Sequence, residues 1–152
     1  MSTANYLNSI VDGDCSEILK NFDADSVDMV LTSPPYDALR NYKGYQFPFD
    51  SIASELCRVL KPGGVIVWVV ADATIEGSET GTSFKQALRF RELGLNLHDT
   101  MIFRKRNPIP QIYRRRYTNE FEFMFVFSKG AVRVHNPIMV DCLHAGLELN
   151  TT

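Results

Sequence analysis

Val27-Asp28-Met29-Val30-Leu31-Thr32-Ser33-Pro34-Pro35-Tyr36 runs from an apolar segment straight into two hydroxyls, two prolines and an aromatic ring. The run Val27 to Leu31 has almost no alternation, as expected of a strand covered on both faces in a parallel sheet. Asp28 interrupts it and reads as structural. Neither Pro34 nor Pro35 can donate a backbone N–H, and each fixes its own φ near −65°. Each also pushes the residue before it into an extended conformation. A bare Pro-Pro is an ordinary loop spacer. Here the prolines hold a hydroxyl, two carbonyls and an aromatic face in fixed mutual geometry at the end of a buried strand, which points to function.

The segments on either side define the fold. Ser9 to Asp14 reads as a short strand and turn. Asp14 and Ser16 sit where a helix cap is wanted, ahead of Ile18, Leu19 and Phe22 at helical spacing. Asp50-Ser51 opens a helix through Leu60, with Ile52, Leu56, Val59 and Leu60 on one stripe. Lys61-Pro62-Gly63-Gly64 ends that helix, and Val65 to Ala71 follows as a central buried strand. Ala71 to Thr82 reads as a loop, Ser83 to Leu93 as a helix, and Leu95 to Arg104 and Glu120 to Ser128 as two strands. Phe121, Phe123, Phe125 and Phe127 share one face of the last strand, which is core packing. The expected class is α/β, a Rossmann-like sheet that is mostly parallel with an antiparallel edge hairpin.

Bulk properties narrow the setting. At 152 residues the chain is one domain at most, 45% hydrophobic and 22% charged. It has no run of eighteen apolar residues and no basic-then-apolar leader, so neither a membrane span nor a signal peptide is expected. Cys15, Cys57 and Cys142 are odd in number and widely spaced, which argues against a disulfide framework and a zinc site. No metal is expected, and a reducing, cytoplasmic location is the default.

The stiff Ser33-Pro34-Pro35-Tyr36 stretch suits methylation of an exocyclic amine. The lone pair of such an amine is conjugated into its ring and is a poor nucleophile. Acceptors on both N–H bonds, the Ser33 hydroxyl and a Pro34 carbonyl, favour the pyramidal geometry that frees it. They also stabilise the positive charge that develops on nitrogen. Tyr36 can stack on a base flipped out of its helix. The tetrapeptide resembles the catalytic motif of the S-adenosylmethionine-dependent DNA amino-methyltransferases, which modify cytosine N4 or adenine N6. In that family a first Ser is commoner among N4-cytosine enzymes. The resemblance implies Ser33, Pro34, Pro35 and Tyr36 as catalytic residues, and Asp14 with Cys15 as contacts to the cofactor adenine. Helix, Leu-Lys-Pro-Gly-Gly, then apolar strand also resembles adenosylmethionine-dependent methyltransferases in general.

Arg104 to Arg116 holds six basic residues in thirteen and no acid. Without them the net charge would be about −8 in place of −2, so this stretch is the obvious site for phosphates. Arg104, Lys105, Arg106, Arg114, Arg115 and Arg116 are the expected contacts to double-stranded DNA, positioning it without reading its sequence. Similar enzymes carry a basic Asn-Pro-x-Pro connection at this place. Residues 37–49, long and aperiodic, are placed to cover a flipped base or to form a surface loop.

The resemblance covers Asn8 to Gly130, in the order of a permuted subgroup whose recognition region and Gly-rich cofactor loop come later. No Asp-Pro-Phe-x-Gly-x-Gly-Thr loop is present in the 152 residues. The expectation is therefore residues 1–130 as the catalytic part of a methyltransferase domain and 131–152 as a tail that begins a missing region. The central cofactor-loop strand would then be missing from the sheet. Exposed sheet edges associate readily, so a complementing chain or a homo-oligomer is expected. The expected function is a site-specific DNA methyltransferase, as a fragment or split subunit, with cytosine N4 ahead of adenine N6. The alternatives are a catalytically inactive nucleic-acid-binding remnant and an unrelated α/β protein with an accidental Pro-Pro turn.

Overall fold

A computed structural model describes residues 3–35, 47–108, 110 and 116–139. Tyr36, Arg114, Arg115, Cys142 and the stretch 37–46 lie outside the described residues. In chain order the elements are α1 (Cys15–Ile18), β1 (Val27–Thr32), α2 (Phe49–Val59), β2 (Leu60–Val70), β3 (Thr74–Ile75), β4 (Ser78–Glu79), α3 (Thr82–Glu92), β5 (Asn96–Arg104) and β6 (Phe121–Ser128). Four strands form one sheet in the order β1-β2-β6-β5, and β3 with β4 forms a separate hairpin. The β1–β2 pair is parallel, and β2–β6 and β6–β5 are antiparallel. The antiparallel edge hairpin is where the sequence placed it. The parallel part comprises one pair among the described residues, so the sheet is mixed.

Three segments differ from the sequence reading. Ser9 to Val11 forms no strand: it joins no ladder and Ile10 is fully exposed. A strand of that length gains nothing without a neighbour to take its hydrogen bonds. Lys61 to Gly64 does not separate helix from strand, since β2 begins at Leu60 immediately after α2. The four residues form a bulge: Val27 pairs with Leu60 and Met29 with Val65. Gly63 has φ +80°, and a Cβ on Gly64 would lie 2.8 Å from the Asp28 carbonyl oxygen. Both glycines serve the bulge. Third, the Ala71–Thr82 loop contains the β3–β4 hairpin. Its two-residue turn has φ 49° at Glu76 and 83° at Gly77, the left-handed pair that a type I′ turn requires.

The helices cover one face of the sheet. Ile52, Ala53 and Leu56 of α2 and Ala87 and Phe90 of α3 bury against Ile66, Trp68, Val70, Phe125 and Phe127. Rings interlock at 5.1 Å between Trp68 and Phe90 and 4.8 Å between Phe90 and Phe127. The Trp68 indole N–H donates to Gln86 Oε1 at 2.8 Å, so neither polar group is buried without a partner. The opposite face carries Met29 and Leu31 of β1, alternate valines of β2, and Met101 and Phe103 of β5. Met29, Leu31, Met101 and Phe103 are about half exposed or more, and among the described residues no helix packs there. The outer edges of β1 and β5 have no strand partner among the described residues.

Cys57, on α2, sits partly buried beside the core, and burial pushes its thiol up to about 11 while nearby Lys129 draws it down. Alkylation proceeds through the thiolate. Between pH 9 and that value the unfolded chain is deprotonated at this site and the folded chain is not, so the stability this thiol contributes falls as pH rises. Iodoacetamide at pH 8 is expected to modify exposed Cys15 at least tenfold faster than Cys57 in the folded protein. The two rates should converge in denaturant, as followed by peptide mass spectrometry.

Candidate functional site

The topology gathers three segments at one end of the sheet. β1 and β2 are parallel with Thr32 opposite Trp68, so Ser33 leaves at the same end as Ala71 and Asp72. β6 enters and β5 leaves there as well, with Val70 opposite Phe123 and Arg104 opposite Phe121. Ser33-Pro34-Pro35, the β3–β4 hairpin and the basic β5–β6 connection therefore share that end. Open α/β sheets bind ligands at the carboxyl ends of their parallel strands.

A cavity of about 380 Å³ lies against the first of these segments. Ser33, Pro34 and Pro35 form one wall, Gly13 and Cys15 another, and Trp68 lies at its floor. Ser33 is exposed, Pro34 buried and Pro35 half-buried, so the prolines anchor the hydroxyl at the rim. The remaining lining is largely aliphatic. Such a volume and lining suit a flat aromatic ring. Tyr36, predicted to stack on the base, lies outside the described residues.

Asp14 and Cys15 have separate places. The Asp14 carboxylate accepts from the Ser16 backbone N–H at 2.8 Å and the Ser16 hydroxyl at 2.7 Å, which makes it the N-cap of α1. Those bonds hold its carboxyl below the usual range. Asp14 is exposed and is not among the described lining residues, whereas Gly13 and Cys15 on either side are. The Cys15 thiol is raised by burial and by the neighbouring Asp14.

The basic residues divide by what they already hold. Arg104 and Arg106 are exposed, with no side-chain partner among the described residues. Lys105 pairs with Glu122 at 3.3 Å. Arg116 is turned to the hairpin, donating to Gly77 O at 2.9 Å and Thr74 Oγ1 at 3.2 Å, and lying 3.4 Å from Glu79 Oε1. Arg114 and Arg115 lie outside the described residues.

Sequence reasoning passed over Asp72. Its Oδ1 accepts from the Ser83 backbone N–H at 3.0 Å and the Thr80 hydroxyl at 3.2 Å, and Oδ2 accepts from the Ser83 hydroxyl. The residue at the N-cap of α3 is Gly81, which has no side chain to cap it, so Asp72 supplies the acceptor from the end of β2. The available signal was an acid directly after the most apolar strand, with Thr80 eight residues on and Thr82-Ser83 opening the next helical pattern. No group of three His, Cys, Asp or Glu among the described residues could hold a metal ion. No helix there is long and apolar enough to cross a membrane.

Comparisons with known proteins agree on one family. The N6/N4 family model described as DNA methylase matches residues 27–143. The orphan methyltransferase M.BamHII of Bacillus amyloliquefaciens is 58% identical over 111 residues, covering 73% of this chain and 42% of that protein. The type II methyltransferase M.HinfI of Haemophilus influenzae is 26% identical over 151 residues, 82% of this chain and 39% of that one. The chain thus spans less than half the length of the curated relatives it matches. Among solved structures, the Thermus thermophilus protein TTHA0409 complexed with S-adenosyl-L-methionine superposes with a TM-score of 0.62 at 28% identity, over 83% of this chain and 56% of that one. The cytosine-N4-specific PvuII DNA methyltransferase shares the fold, with a TM-score of 0.66 at 24% identity over 82% of this chain and 50% of that one.

Removing the Asp72 carboxylate takes away the acceptor of the Ser83 N–H at the start of α3. Asp72→Ala is expected to destabilise the chain by about 1–2 kcal/mol, read as a lower urea midpoint, whereas Asp72→Asn keeps part of the cap and loses less.

Proposed function

The chain belongs to the DNA methylase family, and from that premise we propose that it forms the catalytic part of a DNA amino-methyltransferase with cytosine N4 as its target. The observation that carries this reading is the Ser33-Pro34-Pro35 exit from β1, which lines a cavity at the functional end of the sheet.

The Ser33 hydroxyl and the Pro34 carbonyl accept the two N–H bonds of the target amine and hold it out of conjugation with its ring. Positive charge then builds on nitrogen facing fixed dipoles, and their preorganisation lowers the barrier. S-adenosylmethionine, when bound, supplies an electrophilic methyl group on a sulfonium sulfur. Held by Ser33 and Pro34, the amine would keep its lone pair free to accept that methyl group. The methylated nitrogen is acidic and loses its proton to water afterwards. Ser33 is too weak a base near neutral pH to remove that proton first, so its role is positioning and charge stabilisation. Tyr36 stacks on the flipped base. Gly13 and Cys15 provide the wall for the cofactor adenine, and Asp14 fixes that wall by capping α1. Arg104 and Arg106, with Lys105, Arg114 and Arg115, lie against DNA phosphates.

Two further parts of the reading concern partners and place. A complementing chain or a second copy covers the sheet edges and the apolar face that lack a partner among the described residues, since surfaces of that kind are association sites. The work is cytoplasmic, where the free thiols of Cys15 and Cys57 stay reduced. A nucleic-acid-binding role without catalysis is the competing reading, carried by the exposed Arg104 and Arg106 at the same end of the sheet.

Transfer of a tritiated methyl group from S-adenosylmethionine to DNA tests the proposal directly. The wild-type chain is expected to label DNA as N4-methylcytosine. Ser33→Ala should cut the rate by about 100- to 1000-fold while DNA affinity stays within about twofold. Labelling that survives in Ser33→Ala, or that appears as N6-methyladenine, would contradict the assignment.

A further inference from the structure

A second groove, of about 400 Å³, opens between the β3–β4 hairpin and residues 116–121. Thr74, Gly77 and Glu79 form one side, and Tyr117, Thr118 and Asn119 the other. Arg116 locks the two together through the three hairpin contacts described above. Its charge also neutralises Glu79, the one acid on the wall, so the groove carries little net charge and suits an uncharged ring better than a phosphate. Tyr117 is 99% exposed, with no ring partner among the described residues. Asn119 accepts from the Phe121 N–H through its side-chain oxygen at 3.3 Å, and its amide nitrogen has no partner among the described residues. An aromatic face beside an amide and hydroxyls is a set that recognises a nucleobase.

The groove stands at a suitable distance from Ser33. Ser33 continues β1 two strands away from β6, and Phe121 lies three residues beyond the level at which Ser33 would meet β6. At about 4.8 Å between strands and 3.3 Å per residue, the separation from Ser33 to Phe121, on the groove's edge, is roughly 14 Å. Flipping a base opens a gap in the duplex stack and strips a stacking face from the bases around it. An exposed aromatic on the wall of that groove can occupy that face.

We propose that the groove between the β3–β4 hairpin and Arg116–Phe121 is a second nucleobase subsite, in which Tyr117 stacks on a base uncovered when the target leaves the duplex. Arg116 is then a positioning residue that holds the far wall in place. This inference rests on the DNA-methylating reading and extends it to a site outside the Ser33 cavity.

The test compares binding of two fluorescein-labelled 20-base-pair duplexes, one fully paired and one with a central abasic site that presents the gap in advance, by fluorescence anisotropy at several salt concentrations. The wild-type chain is expected to prefer the abasic duplex by about fivefold or more, the lower end of what one base–aromatic stack supplies. Tyr117→Ala should abolish that preference and Tyr117→Phe should keep it, with an unchanged salt slope because no phosphate contact is lost. Since Tyr117 is exposed, both variants should keep the wild-type melting temperature. Wild-type preference for the abasic duplex that persists in Tyr117→Ala overturns the subsite and leaves the DNA-binding reading intact. So does equal affinity of the wild-type chain for both duplexes. A salt slope that falls in Tyr117→Ala also overturns it, because the groove would then act through charge. No wild-type binding to either duplex overturns both readings together.

Discussion

The parallel pairing of β1 with β2 is the constraint on which the rest of the structure depends. With Thr32 opposite Trp68, the chain must leave β1 for Ser33-Pro34-Pro35 at the same end where β2 releases Asp72 and the hairpin. The bulge at Lys61–Gly64 makes this register attainable directly after α2. It absorbs residues at the amino end of β2 so that Val65 onward runs in step with Met29 onward. Glycine at 63 and 64 permits the positive φ and the close approach to the Asp28 carbonyl that this requires. A shift of one residue would turn Trp68 away from Phe90 and the helices, and Ser33 would no longer stand beside the cavity that Trp68 floors.

The two ends of the sheet treat their cations differently. At the bulge end, Lys129 Nζ donates to the carbonyls of Cys57 and Leu60 at 2.9 Å each and pairs with Asp25 at 2.8 Å, while Lys61 pairs with Asp28 at 2.6 Å. Those lysines tie the end of α2 and the bulge to neighbouring segments, so they act within the fold. At the carboxyl end Arg104 and Arg106 stand exposed without such partners among the described residues, and Arg116 stiffens the hairpin. Exposed cations without a side-chain partner among the described residues are Arg104 and Arg106 at the carboxyl end, against Arg133 at the opposite end, which favours the carboxyl end for a polyanion.

Much of this was legible in the sequence because it depends on local patterns. The apolar run ending in Ser33-Pro34-Pro35, the helix after Asp14, the helical stripe Ile52-Leu56-Val59 and the phenylalanine alternation of β6 each announce themselves within a dozen residues. What escaped depends on contacts between distant segments. Ser9 to Val11 has a strand-like composition but no neighbour to pair with among the described residues. The Glu76-Gly77 turn lacks the Asn-Gly or Asp-Gly signature, and only its backbone angles reveal it. Arg116 reads as one cation in a basic run until its bonds to Thr74 and Gly77 are seen. Asp72 caps a helix that begins ten residues later, too far along the chain for its position after the apolar strand to be read as a cap.

The most direct test of the account is a backbone amide nuclear magnetic resonance titration of the chain with a short DNA duplex. The account predicts shifts clustered at the carboxyl end of the sheet, at Ser33, Ala71 to Glu79, Arg104 to Arg106 and Arg116 to Phe121. Amides of Asp25, Lys61 to Gly64 and Lys129 to Arg133 should stay in place. Shifts confined to that second group would place DNA at the opposite end and contradict the assignment of the functional site.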